Sequence, residues 1–127
     1  MKDKNNNHIL VKVTPNFIEK NSMIEFNKYV FAYEVEIKND SLQPIQLISR
    51  HWIIENSKFE KFEVKGKGVI GEQPTIPPGE VYSYSSFTEI STPSGFMWGS
   101  YQMLTDSEIS FNVEIPKFEL NMPRTLH

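Results

Sequence analysis

Residues 28–39, KYVFAYEVEIKN, carry the pattern that decides the fold. Apolar and aromatic side chains occupy every second position, and charged side chains fill most of the positions between them. Successive side chains of a strand point to opposite faces, so this period-two alternation is typical of a strand with one buried face. We therefore predict a half-buried β-strand here. Its buried face would consist of Tyr29, Phe31, Tyr33, Val35 and Ile37.

The same alternation recurs in residues 109–115, ISFNVEI, and less regularly in five other segments. No stretch of ten or more residues has convincing helical periodicity, and turn-forming residues separate the segments. About seven antiparallel strands predict an all-β protein, an immunoglobulin or fibronectin type III-like β-sandwich whose two sheets bury each other's apolar faces. The five further segments are HILVKVT (8–14), PIQLISRHWIIEN (44–56), KFEKFEVK (58–65), EVYSYSSF (80–87) and MWGSYQMLT (97–105).

Length and composition limit the class of protein. The chain has 127 residues, of which 39% are hydrophobic, enough for one domain with its own core. We expect a single domain over residues 1–127, with loose tails at 1–7 and 121–127. The lack of cysteine excludes thiol chemistry and favours the cytoplasm. We expect neither a signal peptide nor a membrane-spanning segment, and therefore a cytoplasmic location.

Charge and histidine spacing bear on partners and cofactors. The formal net charge is -3 and the pI is about 5.6, which argues against general affinity for nucleic-acid backbones. His8, His51 and His127 are far apart in the sequence, so no metal-ligand spacing is present. We predict no metal site, no cofactor, and neither nucleic acid nor a membrane as partner.

Residues 65–74, KGKGVIGEQP, contain three glycines at the spacing G-x-G-x-x-G. A dinucleotide site of this kind needs a strand before the glycines and a helix after them, and the prolines that follow from Pro74 exclude the helix. Two interpretations remain. The glycines either allow positive φ angles in a connection between strands, or let backbone amides converge on an anion. The candidate anion site consists of Lys65, Gly66, Lys67, Gly68 and Gly71.

The predicted strand 44–56 contains polar residues that need an explanation. Ser49 and His51 share a face, but residues i and i+2 lie about 7 Å apart along a strand, and no acid to orient the histidine is evident. We therefore predict no catalytic residue and no enzymatic activity. Arg50 shares the other face with Trp52, which suits the core. Arg50 then needs a rim position, a bulge or a carboxylate partner.

Residues 92–103, TPSGFMWGSYQM, are rich in aromatic side chains. Part of this segment must be core, and an exposed remainder would mark a surface for a partner. We expect the loops 66–73 and 93–98 to form the contact region, and sheet edges could pair two copies as a homodimer. The candidate contact residues are Glu72, Gln73, Ser94, Phe96 and Trp98.

Six stretches between about residues 9 and 120 occur in the order found in one known family: VKVTPNFI, YVFAYEVEIKN, PIQLISRHWII, VKGKGVIGEQPTIPPGE, STPSGFMWGSYQML and VEIPKFEL. In these stretches the sequence resembles the ApaG family. The resemblance implies a fibronectin type III-like sandwich, no established reaction, a link to cobalt tolerance and magnesium efflux, and protein recognition in eukaryotic relatives. We expect a small non-enzymatic binding module for an unidentified protein partner. The alternative is binding of pyrophosphate or a nucleotide polyphosphate through the glycine motif.

Overall fold

Eight β-strands make up nearly all the regular structure in the computed structural model, which describes residues 8–123. The only helical segments in that range are two three-residue 3-10 turns, Glu19–Asn21 and Ile24–Phe26. The all-β prediction is confirmed. The strands are β1 (Ile9–Phe17), β2 (Tyr29–Asn39), β3 (Ile45–Asn56), β4 (Lys61–Lys67), β5 (Thr75–Ile76), β6 (Val81–Ile90), β7 (Ser94–Thr105) and β8 (Ser110–Asn121).

The strands form two antiparallel sheets that face each other as a sandwich. The first sheet has the order β1-β2-β6, and the second has the order β4-β3-β7-β8. The short strand β5 pairs with the first two residues of β3 and is the fifth strand of the second sheet. The predicted β-sandwich is therefore confirmed. The strand that the sequence did not indicate is β5, because two residues are too few to show an alternation.

The core contains the apolar face of β2 together with large side chains from β3 and β7. All five alternating residues of β2 are buried, as the pattern predicted. Trp52 is only 2% exposed and stands edge-on to Tyr33 and Tyr101, with ring centroids 5.3 and 6.4 Å away. Such edge-to-face pairs contribute about 0.5–1.5 kcal/mol beyond the burial of their area. Trp52 is therefore the centre of the aromatic interior.

A β-bulge in β3 changes which residues face the core. The pairing of β3 with β7 shifts between Leu47 and Ser49. Before the bulge the buried residue Leu47 has an odd number, and after it the buried residue Trp52 has an even number. This change is expected when one extra residue is inserted in a strand. The sequence predicted a rim position, a bulge or a carboxylate partner for Arg50. The structure has a β-bulge next to this residue. Arg50 lies half-buried on the inner face.

The loop expected over residues 93–98 is mostly strand, because β7 begins at Ser94. The Pro93-Ser94-Gly95 sequence resembles a turn, but Gly95 pairs with Asn56 on one side and with Leu120 on the other. At the other end, β8 continues to Asn121, and the Met122 amide donates to the Pro93 carbonyl at 2.9 Å. The remainder of the expected tails, 1–7 and 124–127, lies outside the described residues.

Two tyrosine hydroxyls meet inside the sandwich. Tyr84 of β6 and Tyr101 of β7 hydrogen-bond to each other across the two sheets. Burial is the largest cause that raises the pKa of both groups far above the usual tyrosine value, because an ionised phenolate would be poorly solvated there. Burial also raises the pKa of Tyr33, partly offset by a hydrogen bond with Ser86 and by the Arg50 charge. These three hydroxyls are therefore neutral at physiological pH.

We expect these tyrosines to make the fold unstable in alkali. The unfolded chain loses tyrosine protons near about pH 10, whereas the folded chain retains them, so the free energy of unfolding falls as pH rises above that value. Below it the contribution is fully present. Urea unfolding between about pH 8 and about pH 11 measures the decline. The double variant Tyr84→Phe with Tyr101→Phe should decline less steeply. Equal slopes for this variant and the wild type would contradict the assignment.

Candidate functional site

The glycine motif forms the end of β4 and a tight hairpin turn. The Val69 amide donates to the Glu72 carbonyl at 2.8 Å, and the Glu72 amide donates to the Val69 carbonyl at 2.9 Å. The two residues between them, Ile70 and Gly71, have φ angles of 48° and 75°. Positive φ at both central positions is typical of a type I′ turn. A dinucleotide site would need a helix after the glycines, and a tight turn is present there instead.

Each glycine of the motif has a structural reason. Gly66 pairs with Arg50, and a Cβ there would lie 2.7 Å from the guanidinium carbon. Gly68 has a φ of 61°, and a Cβ there would overlap the Glu72 carbonyl oxygen. Gly71 needs only its positive φ, since a Cβ there would face open space. The close approach of an arginine and the backbone conformation therefore account for the spacing.

Several amides that an anion nest would use are engaged inside the fold. The Gly68 amide donates to the Ile48 carbonyl at 2.7 Å, and the amides of Val69 and Glu72 close the turn. A nest requires successive amides to converge on one anion. The engaged amides do not converge in this way, which weakens the case for phosphate binding by this backbone.

The two lysines of the candidate anion site lie on a different face from the arginine. Lys65 and Lys67 flank Gly66 in β4, and alternate residues of a strand point to opposite faces. Gly66 faces Arg50 on the inner side, so the lysines face outward. The Lys65 ammonium lies 4.0 Å from a Glu63 carboxylate oxygen. The five candidate residues are thus adjacent in sequence but divided between two faces of the sheet.

Arg50 is the charged residue of this region that the site prediction did not include. Its Nη1 donates to the Gly68 carbonyl at 2.9 Å and to the Lys67 carbonyl at 3.3 Å. The guanidinium therefore lies against Gly66 and holds the end of β4 to β3. A signal for it was present in the sequence, since a charged residue on the tryptophan face of a core strand needs partners.

His51 has an acidic neighbour that the sequence analysis missed. Its Nε2 lies 3.4 Å from a Glu63 carboxylate oxygen on the adjacent strand, and this nitrogen forms no hydrogen bond. In the register, His51 stands opposite Ser100 and two positions from Ser49. Among residues 8–123, the Nε2 atom of the ring has no hydrogen bond to either serine. The bond between nucleophile and base that acyl transfer requires is not formed.

Phe96 and Trp98 lie on the outer face of the second sheet, because they alternate with the buried Met97. Phe96 is 41% exposed and Trp98 is partly exposed. The Lys117 ammonium lies 4.8 Å from the Phe96 ring centroid and 4.7 Å from that of Trp98. The Lys61 ammonium lies 5.9 Å from the Trp98 ring centroid. We refer to these two aromatic residues and two lysines as the aromatic patch.

The structure separates the candidate contact residues into two groups. Ser94, Phe96 and Trp98 lie on β7, and Phe96 pairs with Glu55 near the end of β3. Glu72 and Gln73 follow the glycine turn, which lies beside Ile48. Ile48 and Glu55 are seven positions apart on β3, which corresponds to about 23 Å of extended strand. The two groups therefore do not form one small contact surface.

The side chains of the second group are engaged with their surroundings. Gln73 donates from Nε2 to the Ile48 carbonyl at 2.8 Å, which holds the turn against β3. The Glu72 carboxylate accepts from the Tyr82 hydroxyl at 3.3 Å and is otherwise exposed. Of the predicted contact residues, those on β7 therefore offer the larger accessible aromatic surface.

In the part of the chain that the structure describes, no three His, Asp or Glu side chains are grouped so as to hold a metal ion. Within residues 8–123 no helix has the length and apolar character needed to span a bilayer.

Residues 19–105 match the ApaG domain family. The chain belongs to the ApaG family. Protein ApaG of Chromobacterium violaceum is 46% identical over 117 residues, which cover 92% of this chain and 93% of that protein. Protein ApaG of Dechloromonas aromatica is 45% identical over 127 residues, which cover both chains completely. The ApaG resemblance predicted from the sequence is therefore confirmed.

The solved structures support the same ApaG assignment. A Bordetella pertussis protein given the name ApaA is 44% identical to this chain, and its structure matches with a TM-score of 0.89 over 92% of this chain and 95% of that one. The chain is thus a small ApaG-type domain with a β-sandwich fold. The names of these relatives describe neither a reaction nor a ligand.

Proposed function

We propose that this ApaG-family chain is a non-enzymatic binding module that recognises a protein partner through the aromatic patch. The observation that supports it is the exposure of Phe96 beside Trp98 on the outer face of the second sheet. Tryptophan and phenylalanine are enriched in protein interfaces, and a few such residues supply most of the binding energy. A sheet face also provides a rigid surface on which the two rings are held in a fixed arrangement.

The lysines of the aromatic patch suit a role in recognition. In the free chain, Lys117 lies over both rings and Lys61 lies over one of them. A cation–π contact at an exposed site contributes only about 0.5–1 kcal/mol, so a partner can displace the ammonium groups at little cost. Once displaced, they remain at the rim of the patch, where they can pair with carboxylates of the partner.

The polar groups near His51 support a non-enzymatic role. The imidazole lies near Glu63, but within residues 8–123 its Nε2 has no hydrogen bond to Ser49 or Ser100 that would activate a nucleophile. We propose that the link of the family to cobalt and magnesium is indirect and acts through the partner. We rank pyrophosphate binding by the glycine motif below protein recognition, because the Gly68 amide is already bonded to β3.

The proposal predicts that truncating the aromatic patch removes the partner without unfolding the chain. Trp98→Ala and Phe96→Ala should each lower partner capture by about tenfold or more, as expected at a binding hot spot. The free energy of unfolding should change by less than about 1 kcal/mol, as is usual for exposed side chains. The measurement is quantitative mass spectrometry of proteins retained by the immobilised chain, from cells grown with and without added cobalt.

The matched control is Phe87→Ala, which removes an exposed phenylalanine from the outer face of the first sheet, where Phe87 is 64% exposed. Capture by this variant should equal that of the wild type. The proposal is wrong if the Trp98 variant retains the same proteins in the same amounts, or if the Phe87 variant loses them equally.

A further inference from the structure

A pocket of about 230 Å³ opens between the two sheets, where β6 faces the glycine turn. It lies on the inner side of β3, whereas the aromatic patch lies on the outer face of the same sheet. Its lining brings one guanidinium, three hydroxyl groups and two aliphatic side chains together. The lining residues are Tyr33, Arg50, Val69, Ile70, Tyr84 and Ser86.

Among residues 8–123, Arg50 is the only charged residue that lines the pocket. Within the described part of the chain, only its Nη1 donates to protein carbonyls, which leaves the hydrogens of Nη2 and Nε for another acceptor. Among residues 8–123, no carboxylate lies within 4.0 Å of the guanidinium. Gly66 lets the guanidinium lie flat against the backbone, because any side chain there would occupy its place. The positive charge is therefore fixed in position and not neutralised.

The hydroxyl groups of the pocket are donors rather than charges. Tyr33 and Tyr84 remain protonated because burial raises the pKa of both. Tyr84 is engaged with Tyr101, and Ser86 shares a hydrogen bond with Tyr33, so the Tyr33–Ser86 pair provides the neutral hydrogen-bond donor beside the cation. No acidic side chain of the described residues lines the pocket, so its electrostatics favour a ligand with one negative charge.

Ile70 forms an apolar wall of the pocket from a strained backbone position. Its φ is 48°, which is rare for a β-branched residue and is usually occupied by glycine or asparagine. Strained residues of this kind are concentrated at binding sites, where the surrounding structure holds them. Val69, which is fully buried beside it, packs into the core behind this wall.

We propose that this pocket binds a small organic monocarboxylate. The planar fork of a guanidinium matches the two oxygens of a carboxylate, and Arg50 would donate to them from Nη2 and Nε. The hydrogen-bonded Tyr33–Ser86 hydroxyl pair would add a further donor, and the apolar part of the ligand would lie against Ile70. Pyrophosphate fits less well, since it brings several negative charges to one cation and has no apolar part.

Titration of the ¹⁵N-labelled chain with sodium benzoate tests this site. We expect saturable shifts of the Gly66, Gly68 and Ser86 amides. Arg50→Gln should weaken the affinity by about tenfold or more, because it removes the charge, and Tyr33→Phe should weaken it by about threefold to tenfold. The matched control Lys67→Ala removes a positive charge from the outer face and should change the affinity by less than about twofold.

Two outcomes would overturn the inference. The first is an absence of saturable shifts in the wild type, or equal benzoate affinity in the wild type and in both the Arg50 and Tyr33 variants. The second is tighter binding of sodium pyrophosphate than of benzoate, lost in Lys67→Ala, which would return the site to the glycine motif. Neither outcome affects the aromatic patch, whose variants leave this pocket intact. A spectrum with native dispersion confirms that each variant is folded.

Discussion

Replacing Trp52 with alanine is expected to lower the free energy of unfolding by about 3–5 kcal/mol. The side chain is 2% exposed and packs edge-on against Tyr33, Tyr101 and Phe118, the last at a centroid distance of 6.0 Å. Removing it leaves a cavity between two sheets that are fixed by their hydrogen bonds, so the surrounding rings cannot close the space. Since a domain of this size is stable by only about 5–15 kcal/mol, a loss of this size is severe.

Urea unfolding followed by far-ultraviolet circular dichroism measures this loss without relying on tryptophan fluorescence. Trp52→Phe is the matched control. The indole N–H of Trp52 has no hydrogen-bond partner among the residues that the structure describes, so phenylalanine keeps a ring in the core without breaking any of the described hydrogen bonds. It should cost clearly less than alanine. A loss below about 1.5 kcal/mol for Trp52→Ala, the range of a volume-conserving core exchange, would mean that the aromatic interior is assigned incorrectly.

Gly68→Ala is the second substitution for which we expect a large loss of stability. The φ of 61° costs a residue with a Cβ about 1–2 kcal/mol. The Cβ would also overlap the backbone oxygen of Glu72, and such overpacking costs about 1–3 kcal/mol more. Relief requires breaking the Val69–Glu72 pair or the bond from the Gly68 amide to Ile48. Urea unfolding should show the sum of the two terms.

Gly71→Ala measures the cost of positive φ alone, without the cost of a Cβ that overlaps a neighbour. Its φ is also positive, at 75°, but a Cβ there has no neighbour within 4 Å. The loss should therefore be only about 1–2 kcal/mol. Equal losses at Gly68 and Gly71 would contradict the turn geometry. If Gly68→Ala keeps wild-type stability and loses affinity for pyrophosphate, the motif binds anions and our structural account of it is wrong.

The sequence predicted the sandwich because most of its strands have one buried face. In β2 the alternation is uninterrupted, and each apolar residue it indicated is buried. In β3 the bulge near Ile48 exchanges the faces partway along the strand, which no periodicity reveals. The prediction over Pro93-Ser94-Gly95 failed for a related reason, since turn-forming residues also fit a strand that has neighbours on both sides.

The site was less predictable, because its contacts join residues that are distant in sequence. The Arg50 guanidinium lies against Gly66, and Glu63 approaches His51, only because β3 and β4 pair in one particular register. The glycine motif could be described locally, but which amides remain available depends on the partner strand. By contrast, the prediction of Phe96 and Trp98 as contact candidates needed only their local aromatic excess, and both are at least partly exposed.

Site-specific photo-crosslinking tests most directly whether a partner protein binds the outer face of the second sheet. Benzoylphenylalanine is placed at Phe96 in one variant and, as the matched control, at Lys12, an exposed residue on the outer face of the first sheet. After irradiation in living cells, we predict a discrete crosslinked protein for position 96 that is absent for position 12. The same discrete product from both positions, or none from position 96 while position 12 yields one, would contradict the proposed function.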